Sequence, residues 1–413
     1  MQLWYGSSKI SKAAVETLFQ RLFVCVSRIS NFFYVHTICR DMMDFMKSHR
    51  MDTPLLISIL LLVTMGFLIF LSASLGLLNR DSVEFGSIAF RQIFFGLIPG
   101  LIALFALSKL NYMKLEKYSF WIFIVAIVLN LIIFIPGVGI QLNGATRWLD
   151  LGSFTFQVSE VLKIAAIMFF AAWLSAVKER VGTFRWGFGP LAAMLSIVGF
   201  LLLIQPDTDT FVVIAGAMSA MYLVAGGKWR YIGLTVLIGI LLIGILAYER
   251  PYLRSRLTTF MNPAENSLTS GYQIQQSLIA IGSGGITGRG FGQSIQKFNY
   301  LPEPIGDSIF AVAAEEFGLL GSLMLFGIFL FFTGRTLKIA GKANHPFGTY
   351  VAVGIASFII IQTFLNIGSM VGILPLSGMP LPFVSQGGTA LLFVLAEVGI
   401  LLNISRYAKM RHI

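Results

Sequence analysis

Long apolar stretches recur along the whole chain and constrain its fold more than any other feature. A helix needs about 20 mostly apolar residues to cross a bilayer core of about 30 Å, and somewhat fewer where protein caps it. Ten stretches of the 413-residue chain qualify, near residues 55–78, 93–107, 118–135, 161–177, 190–204, 210–225, 231–248, 308–333, 350–374 and 385–404. The sequence therefore predicts an all-α polytopic membrane protein with about ten transmembrane helices.

The composition excludes a soluble multidomain protein. Apolar residues make up 56% of the chain and Asp, Glu, Lys and Arg only 12%, whereas soluble domains carry about 25% charged residues. The net charge of +11 is spread between the apolar stretches, so we expect no nucleic-acid partner. Both cysteines, Cys25 and Cys39, precede the first stretch, so no disulfide framework braces the membrane region.

The distribution of basic residues predicts the orientation in the membrane. Cytoplasmic loops carry an excess of Lys and Arg, and an even number of spans places both termini on one side. That side collects 21 of the 30 Lys and Arg residues. We therefore expect a multi-pass membrane protein with both termini in the cytoplasm. Residues 1–50 are interpreted as a cytoplasmic tail, either a basic amphipathic helix or a disordered segment, and residues 51–413 as the membrane domain.

The segment 249–307 is predicted to form a large structured extracytoplasmic loop between the seventh and eighth helices. Its 59 residues far exceed an ordinary connection. Apolar residues between 272 and 281 indicate a short helix, and the glycine-rich run 282–292 indicates close backbone approaches. This run matches neither common nucleotide-binding pattern. The loop holds five cationic residues against four carboxylates, which indicates an anionic phosphate ligand.

Several carboxylates lie at predicted membrane depth or at its edge. Asp307 precedes the eighth stretch, where a carboxylate can cap a helix, take part in catalysis, or do both. Glu315, Glu316 and Glu397 fall inside predicted spans, so each is expected to find a partner inside the bundle. Asp207 and its neighbour Asp209 lie in a short turn, and either line the same cavity as Asp307 or are simply solvated.

A set of short motifs in fixed order resembles one family. The motifs are Phe90-Arg91-Gln92, Asn143 to Trp148, Gln157 to Lys163, Gln205-Pro-Asp207, Gly271 to Ser277, Gln296-Lys297, Pro302-Glu303, Asp307 to Glu316, Asn366-Ile-Gly, Gly372 to Pro375, Pro380-Leu-Pro382 and Ser385 to Gly388. Together they resemble the SEDS family of cell-wall glycosyltransferases, in a form closer to its division member FtsW than to its elongation member RodA. The resemblance covers the chain from about residue 55 to its end.

The resemblance implies a peptidoglycan glycosyltransferase that polymerises lipid II, a disaccharide-pentapeptide on undecaprenyl pyrophosphate, during septal cell-wall synthesis and cell division. It implies that Asp307 is the catalytic general base. The implied substrate-binding residues are Arg147, Trp148, Arg254, Arg256, Gln273, Ser277, Lys297 and Glu303. The implied supporting residues are Arg91, Glu160, Lys163, Asp207, Glu315, Glu316 and Ser385.

The resemblance also implies partners and leaves alternatives. The resemblance implies a bacterial inner (plasma) membrane protein at the division septum. It also implies a class B penicillin-binding protein that supplies transpeptidation, together with other division proteins. No tightly bound cofactor is expected, although a divalent cation such as Mg²⁺ or Mn²⁺ is compatible with an anionic leaving group. Val158, Ser308 and Gln386 depart from the usual family residues. The alternative functions are a RodA-like elongation polymerase, a lipid II flippase or transporter, and a scaffold for other wall enzymes.

Overall fold

The computed structural model describes residues 51–79, 82–142, 145–150, 152, 155–262 and 270–408. The predicted cytoplasmic tail, 1–50, lies outside the described residues. Within them, the chain is predominantly helical. The helices are α1 Thr53–Ser74, α2 Ser82–Arg91, α3 Ile98–Lys109, α4 Met113–Ile132, α5 Val158–Val177, α6 Gly189–Ile204, α7 Thr208–Val224, α8 Trp229–Glu249, α9 Pro251–Met261, α10 Ser270–Gly284, α11 Ile309–Ala340, α12 Pro346–Met370 and α13 Gly388–Tyr407. The predicted all-α polytopic class is confirmed.

Nine helical segments among the described residues are long and apolar enough to cross a membrane, and α7 is a shorter apolar helix. These ten segments correspond to the ten predicted stretches. The second segment is continuous because a π-helical turn, Gln92–Leu97, joins α2 to α3. Close helix packing within the bundle depends on small residues. A Cβ on Gly96, for example, would lie only 2.9 Å from the Cα of Gly388 in α13.

A small antiparallel sheet between α4 and α5 was not predicted from the sequence. Its strands are β1 Gly139–Leu142, β2 Ala145–Asp150 and β3 Thr155–Gln157, in the order β1-β2-β3. Trp148 pairs with Ile140 on one side and with Gln157 on the other. The sheet thus places Arg147 and Trp148 on its central strand, next to the start of α5.

Helix α11 is interrupted at Gly318, which adopts φ 67° and ψ −165°. The break frees backbone groups that must find partners, because none can be left unpaired in lipid. The Arg289 and Gly290 amides donate to the carbonyls of Glu315 and Glu316 at 3.0 and 2.9 Å. The glycine run 282–292 therefore supplies hydrogen-bond donors to the broken helix. The close backbone approach predicted for this run is an approach to the backbone of α11.

The segment between α8 and α11 contains two helices, α9 and α10, which agrees with the predicted structured loop. Helix α8 buries none of its side chains, whereas α11 and α12 are extensively buried. The 371–387 segment connects α12 to α13 and packs beside the start of α11. This packing creates the site described below.

Candidate functional site

Asp307 lies immediately before α11, and its backbone is fixed from two directions. The Asn366 side-chain amide of α12 donates to the Asp307 carbonyl and to the Met379 carbonyl, both at 2.8 Å. The Ser385 hydroxyl donates to the carbonyl of Gly306 at 2.8 Å. Asp307 is therefore held by α12 and by the 371–387 segment together.

The side chain of Asp307 is free to act on a ligand. Ser308, and not Asp307, occupies the N-cap position of α11. No donor from the described residues forms a hydrogen bond with the Asp307 carboxylate, which keeps partial exposure at the surface of the site. The capping role considered for Asp307 is therefore not realised, and its carboxylate oxygens can accept a proton from a bound molecule.

Gly378 marks the point where the charged groups of the site converge. A Cβ built on Gly378 would lie 3.2 Å from Arg256 Nη2, 3.7 Å from Asp307 Oδ2 and 3.9 Å from Asp209 Oδ2. Since all three atoms lie within 4 Å of one point, no two of them are more than about 8 Å apart. One guanidinium and two carboxylates thus share a small volume beside the 371–387 segment.

The surroundings of Asp307 raise its pKa to about 7. The largest cause is desolvation by the surrounding protein, which disfavours the charged carboxylate although part of the side chain stays accessible, and the neighbouring Glu303 adds to the shift. The charge of Arg256 opposes the shift. A carboxylate with a pKa near neutrality is a stronger base than an ordinary aspartate at the same pH, which is the property required of a general base.

Arg147 forms a second charged group near the site. Its guanidinium donates to the carbonyls of Gln205 and Pro206, and Nη1 lies 3.6 Å from Asp207 Oδ1. The other oxygen of the buried Asp207 carboxylate has no hydrogen-bond partner among the described residues. The charge of Arg147 also lowers the pKa of Asp307, so Arg147 contributes to the electrostatic field at this carboxylate.

Lys297, which the sequence predicts as a phosphate ligand, is instead buried in an ion pair. Its Nζ lies 2.7 Å from Glu316 Oε1, 2.9 Å from the Gly292 carbonyl and 3.2 Å from Ser72 Oγ. These partners use its three N–H donors. The ammonium of Lys297 therefore neutralises a membrane-embedded glutamate and has no donor left for a phosphate.

Glu315 is also paired internally. Its carboxylate accepts hydrogen bonds from the backbone amides of Ile295 and Gln296 at 3.0 and 3.2 Å. The Ser294 hydroxyl and the Arg289 guanidinium approach the same carboxylate. The expected internal pairing is thus found for Glu315 and for Glu316, with partners in α1, in the glycine run and in the segment that follows it.

A third charged group lies inside the bundle. Lys163 Nζ is 2.7 Å from Glu160 Oε1, and both side chains are almost fully buried. Lys163 also lies 4.6 Å from the ring centre of Phe358. Glu397 is buried too, and its Oε2 has no hydrogen-bond partner among the described residues. The pairing expected for Glu397 is therefore incomplete.

The remaining predicted residues are distributed around Asp307. Gln273 donates to the Ser308 hydroxyl at 3.0 Å, and the buried Ser277 hydroxyl donates to the Gln273 carbonyl at 2.8 Å. Gln273 therefore supports the start of α11 from α10, whereas Ser277 bonds within α10 and contacts Met370 of α12. Arg254 and Glu303 are exposed, and Arg91 is exposed at the end of α2.

Sequence reasoning considered Asp209 as a residue that lines the cavity but did not list it with the site residues, and it did not identify Gly378. Asp209 accepts hydrogen bonds from Arg256 Nη1 at 2.8 Å and from the Gly378 amide at 3.0 Å. The position of Asp209 two residues after Asp207 was a signal that it lined the same cavity. Gly378 carries no functional group, and only the fold reveals that its missing side chain leaves room for the charged groups.

Comparisons with known proteins agree on one family. Residues 53–410 match the FtsW/RodA/SpoVE family model, described as cell cycle protein. The chain is 39% identical to stage V sporulation protein E of Bacillus subtilis, over 88% of this chain and 99% of that protein. It is 37% identical to the probable peptidoglycan glycosyltransferase FtsW of Coxiella burnetii, over 86% of this chain and 96% of that protein.

Solved structures share the fold. A chain of a peptidoglycan synthase complex, studied for the structural coordination of polymerization and crosslinking, superposes with a TM-score of 0.72 at 25% identity and covers 86% of this chain and 98% of that one. RodA of Thermus thermophilus superposes with a TM-score of 0.65 at 24% identity, covering 87% of this chain and 98% of that one. The resemblance inferred from the motifs is thus confirmed, and the chain belongs to the FtsW/RodA/SpoVE family of membrane proteins.

Proposed function

We propose that this protein is a peptidoglycan glycosyltransferase that polymerises lipid II during septal cell-wall synthesis and cell division. The observation that carries the proposal is the Asp307 carboxylate, which is free of hydrogen bonds from described residues and lies beside the Arg256 guanidinium. A base next to a cation suits transfer from a donor with an anionic leaving group. The names of the Coxiella burnetii FtsW and other FtsW relatives support the same activity.

In the proposed reaction, Asp307 removes the proton from the 4-hydroxyl of the acceptor sugar. The acceptor oxygen forms a bond to the anomeric carbon of the donor chain, and the bond from that carbon to the lipid pyrophosphate breaks. Negative charge then develops on the leaving pyrophosphate. We expect Arg256 and Arg147 to stabilise this charge, and the exposed Arg254 on α9 to meet the headgroup.

A single displacement requires one base and one stabilised leaving group, so a second catalytic carboxylate is unnecessary. Among the described residues, no three His, Cys, Asp or Glu side chains come together as metal ligands. A divalent cation that arrives with the pyrophosphate, which supplies oxygen ligands of its own, stays a prediction.

Helix α8 provides an apolar surface for the polyprenyl chains. Its exposed side chains include Leu237, Ile240, Leu241 and Ile245. We propose that the lipid tails lie along this surface while their headgroups reach Asp307. We further propose that both termini are cytoplasmic and that the segment 249–307 lies on the outer side, where the polymer is made.

We propose a class B penicillin-binding protein as the partner of this polymerase, acting with other division proteins at the septum. The structural similarity to a chain from a complex that coordinates polymerization with crosslinking supports this pairing. A fluorescent fusion expressed at its natural level is expected at midcell during constriction. A signal restricted to the lateral wall would favour the RodA-like elongation role instead.

The activity is tested with the purified protein, its transpeptidase partner and purified lipid II. Wild type is expected to produce glycan polymer, whereas Asp307→Ala and Asp307→Asn at matched folding produce none. Polymer from both variants at the wild-type rate would contradict the role of Asp307. The absence of polymer from every form, with lipid II translocation across vesicles intact, would instead establish the flippase alternative.

A further inference from the structure

Asp209 connects three parts of the chain through one carboxylate oxygen. Its Oδ2 accepts a hydrogen bond from Arg256 Nη1 at 2.8 Å and another from the Gly378 amide at 3.0 Å. Asp209 belongs to α7, Arg256 to α9 and Gly378 to the 371–387 segment. The carboxylate therefore holds a cation and a loop in one place, although they are distant in the sequence.

The ion pair is sheltered but not fully buried, since 19% of the Arg256 side chain and 24% of the Asp209 side chain are exposed. Arg256 also lies over the Tyr252 ring, 4.4 Å from its centre. With one edge on a carboxylate and one face on an aromatic ring, the guanidinium has a restricted position. Its Nη2 is directed toward Gly378, on the side where Asp307 lies.

The positive charge of Arg256 acts on two carboxylates, those of Asp209 and Asp307. Arg256 and Arg147 favour the charged form of Asp307, whereas Asp209 and Glu303 disfavour it. The charged and titratable groups that act on or respond to Asp307 therefore come from four elements: Arg147 of β2, Asp209 of α7, Tyr252 and Arg256 of α9, and Glu303 of the segment before α11.

We propose that Asp209 is a positioning residue, which holds Arg256 and Gly378 at the edge of the site and moderates the attraction of Arg256 for the Asp307 carboxylate. The inference rests on the proposed function, in which Asp307 is the general base. In this proposal Asp209 acts directly on neither the acceptor hydroxyl nor the leaving group. Its effect on the reaction is transmitted through Arg256.

The test measures the rate of polymerisation as a function of pH for wild type and for Asp209→Asn, each in complex with the transpeptidase. The acidic limb of this profile is the pH range in which the rate falls as Asp307 becomes protonated. The asparagine keeps the size of the side chain but removes one negative charge and releases the charge of Arg256 to act on Asp307. The acidic limb of the profile should therefore move to lower pH by on the order of one unit. Asp209→Glu restores the charge and should return the limb toward its wild-type position.

Arg256→Gln tests the same coupling from the other side and does not depend on the folding of Asp209→Asn. Loss of the guanidinium removes the charge that favours ionised Asp307, so the acidic limb should move to higher pH. Glu249→Gln is the matched control, because Glu249 is an exposed carboxylate at the end of α8. It should leave the limb in place.

The inference is overturned if Asp209→Asn or Arg256→Gln leaves the acidic limb unmoved. It is equally overturned if Asp209→Asn lowers the rate by one factor at every pH, because a purely structural role predicts a uniform loss. Polymer formation by Asp307→Asn at the wild-type rate would be a different failure, since it would remove the proposed base itself. The two results are read from separate variants and are therefore distinguishable.

Discussion

Substituting Gly378 by alanine places a methyl group at the centre of the proposed site. Gly378 does not have a positive φ, so its backbone accepts alanine without strain. The new Cβ would lie 3.2 Å from Arg256 Nη2, which is too close by a few tenths of an ångström, and 3.7 Å from Asp307 Oδ2. Because Arg256 is the flexible partner in this contact, we expect its guanidinium to move away from the site.

The expected loss follows from that displacement. A misplacement of about 1 Å in an active site costs about 100-fold in rate. If the logarithm of the rate falls in proportion to the displacement, a shift of about 0.3–0.5 Å corresponds to about a four- to tenfold loss in the rate of glycan polymerisation. Larger side chains at this position should reduce the rate further, because they would occupy the space beside the Asp307 carboxylate.

The assay compares initial rates of polymer formation from saturating lipid II by the complex of each variant with its transpeptidase. Gly282→Ala is the matched control, since Gly282 lies on α10 and a Cβ there has no heavy atom within 4 Å. It should polymerise at the wild-type rate. Equal rates for Gly378→Ala and Gly282→Ala would refute the arrangement of charged groups around Gly378.

Three further predictions concern the base, the buried ion pair and the broken helix. Because Asp307 must be deprotonated to act as a base and its pKa is raised to about 7, the rate should fall about tenfold per unit of pH in acid; a rate independent of pH between about 5 and 7 would contradict this. Lys297→Met leaves the Glu316 charge buried without its partner and should lower the free energy of unfolding, measured by thermal unfolding, by about 3–5 kcal/mol. The double variant Lys297→Met with Glu316→Gln should recover most of this free energy, and no recovery would argue against the ion pair. Gly318→Ala requires a positive φ at a residue with a Cβ and brings that Cβ into overlap with the Gly288 nitrogen, so the yield of folded protein in detergent should drop; a wild-type yield would show that the glycine run is not packed into the break.

The membrane helices were predictable from the sequence because the apolar stretches are local and long. The position of Asp307 at the edge of the bundle was also predictable, because it stands at the boundary between a polar segment and an apolar stretch and within a recognisable motif; its catalytic role stays a prediction. The internal pairing of Glu315 and Glu316 followed from the high free energy of an unpaired charge in lipid. These inferences depend on the position of a residue along the chain and on its general physical chemistry.

Other features depend on contacts between distant parts of the chain. Lys297 lies in a basic loop, and only the fold shows that all its donors face Glu316, Gly292 and Ser72. The proximity of Asp209 to Gly378 joins residues 169 positions apart, which no local pattern reports. The three-stranded sheet was missed because its strands are short and lie between the predicted spans 118–135 and 161–177, in a segment for which no structure was predicted.

The most direct test of the central claim is the rate of glycan bond formation by Asp307→Asn compared with wild type, with lipid II binding measured on the same samples. The substitution keeps the shape of the side chain and removes its ability to accept a proton as a carboxylate. We predict that lipid II still binds with an affinity near that of wild type, while glycan bond formation is lost. Bond formation by Asp307→Asn at the wild-type rate would contradict the assignment of Asp307 as the base.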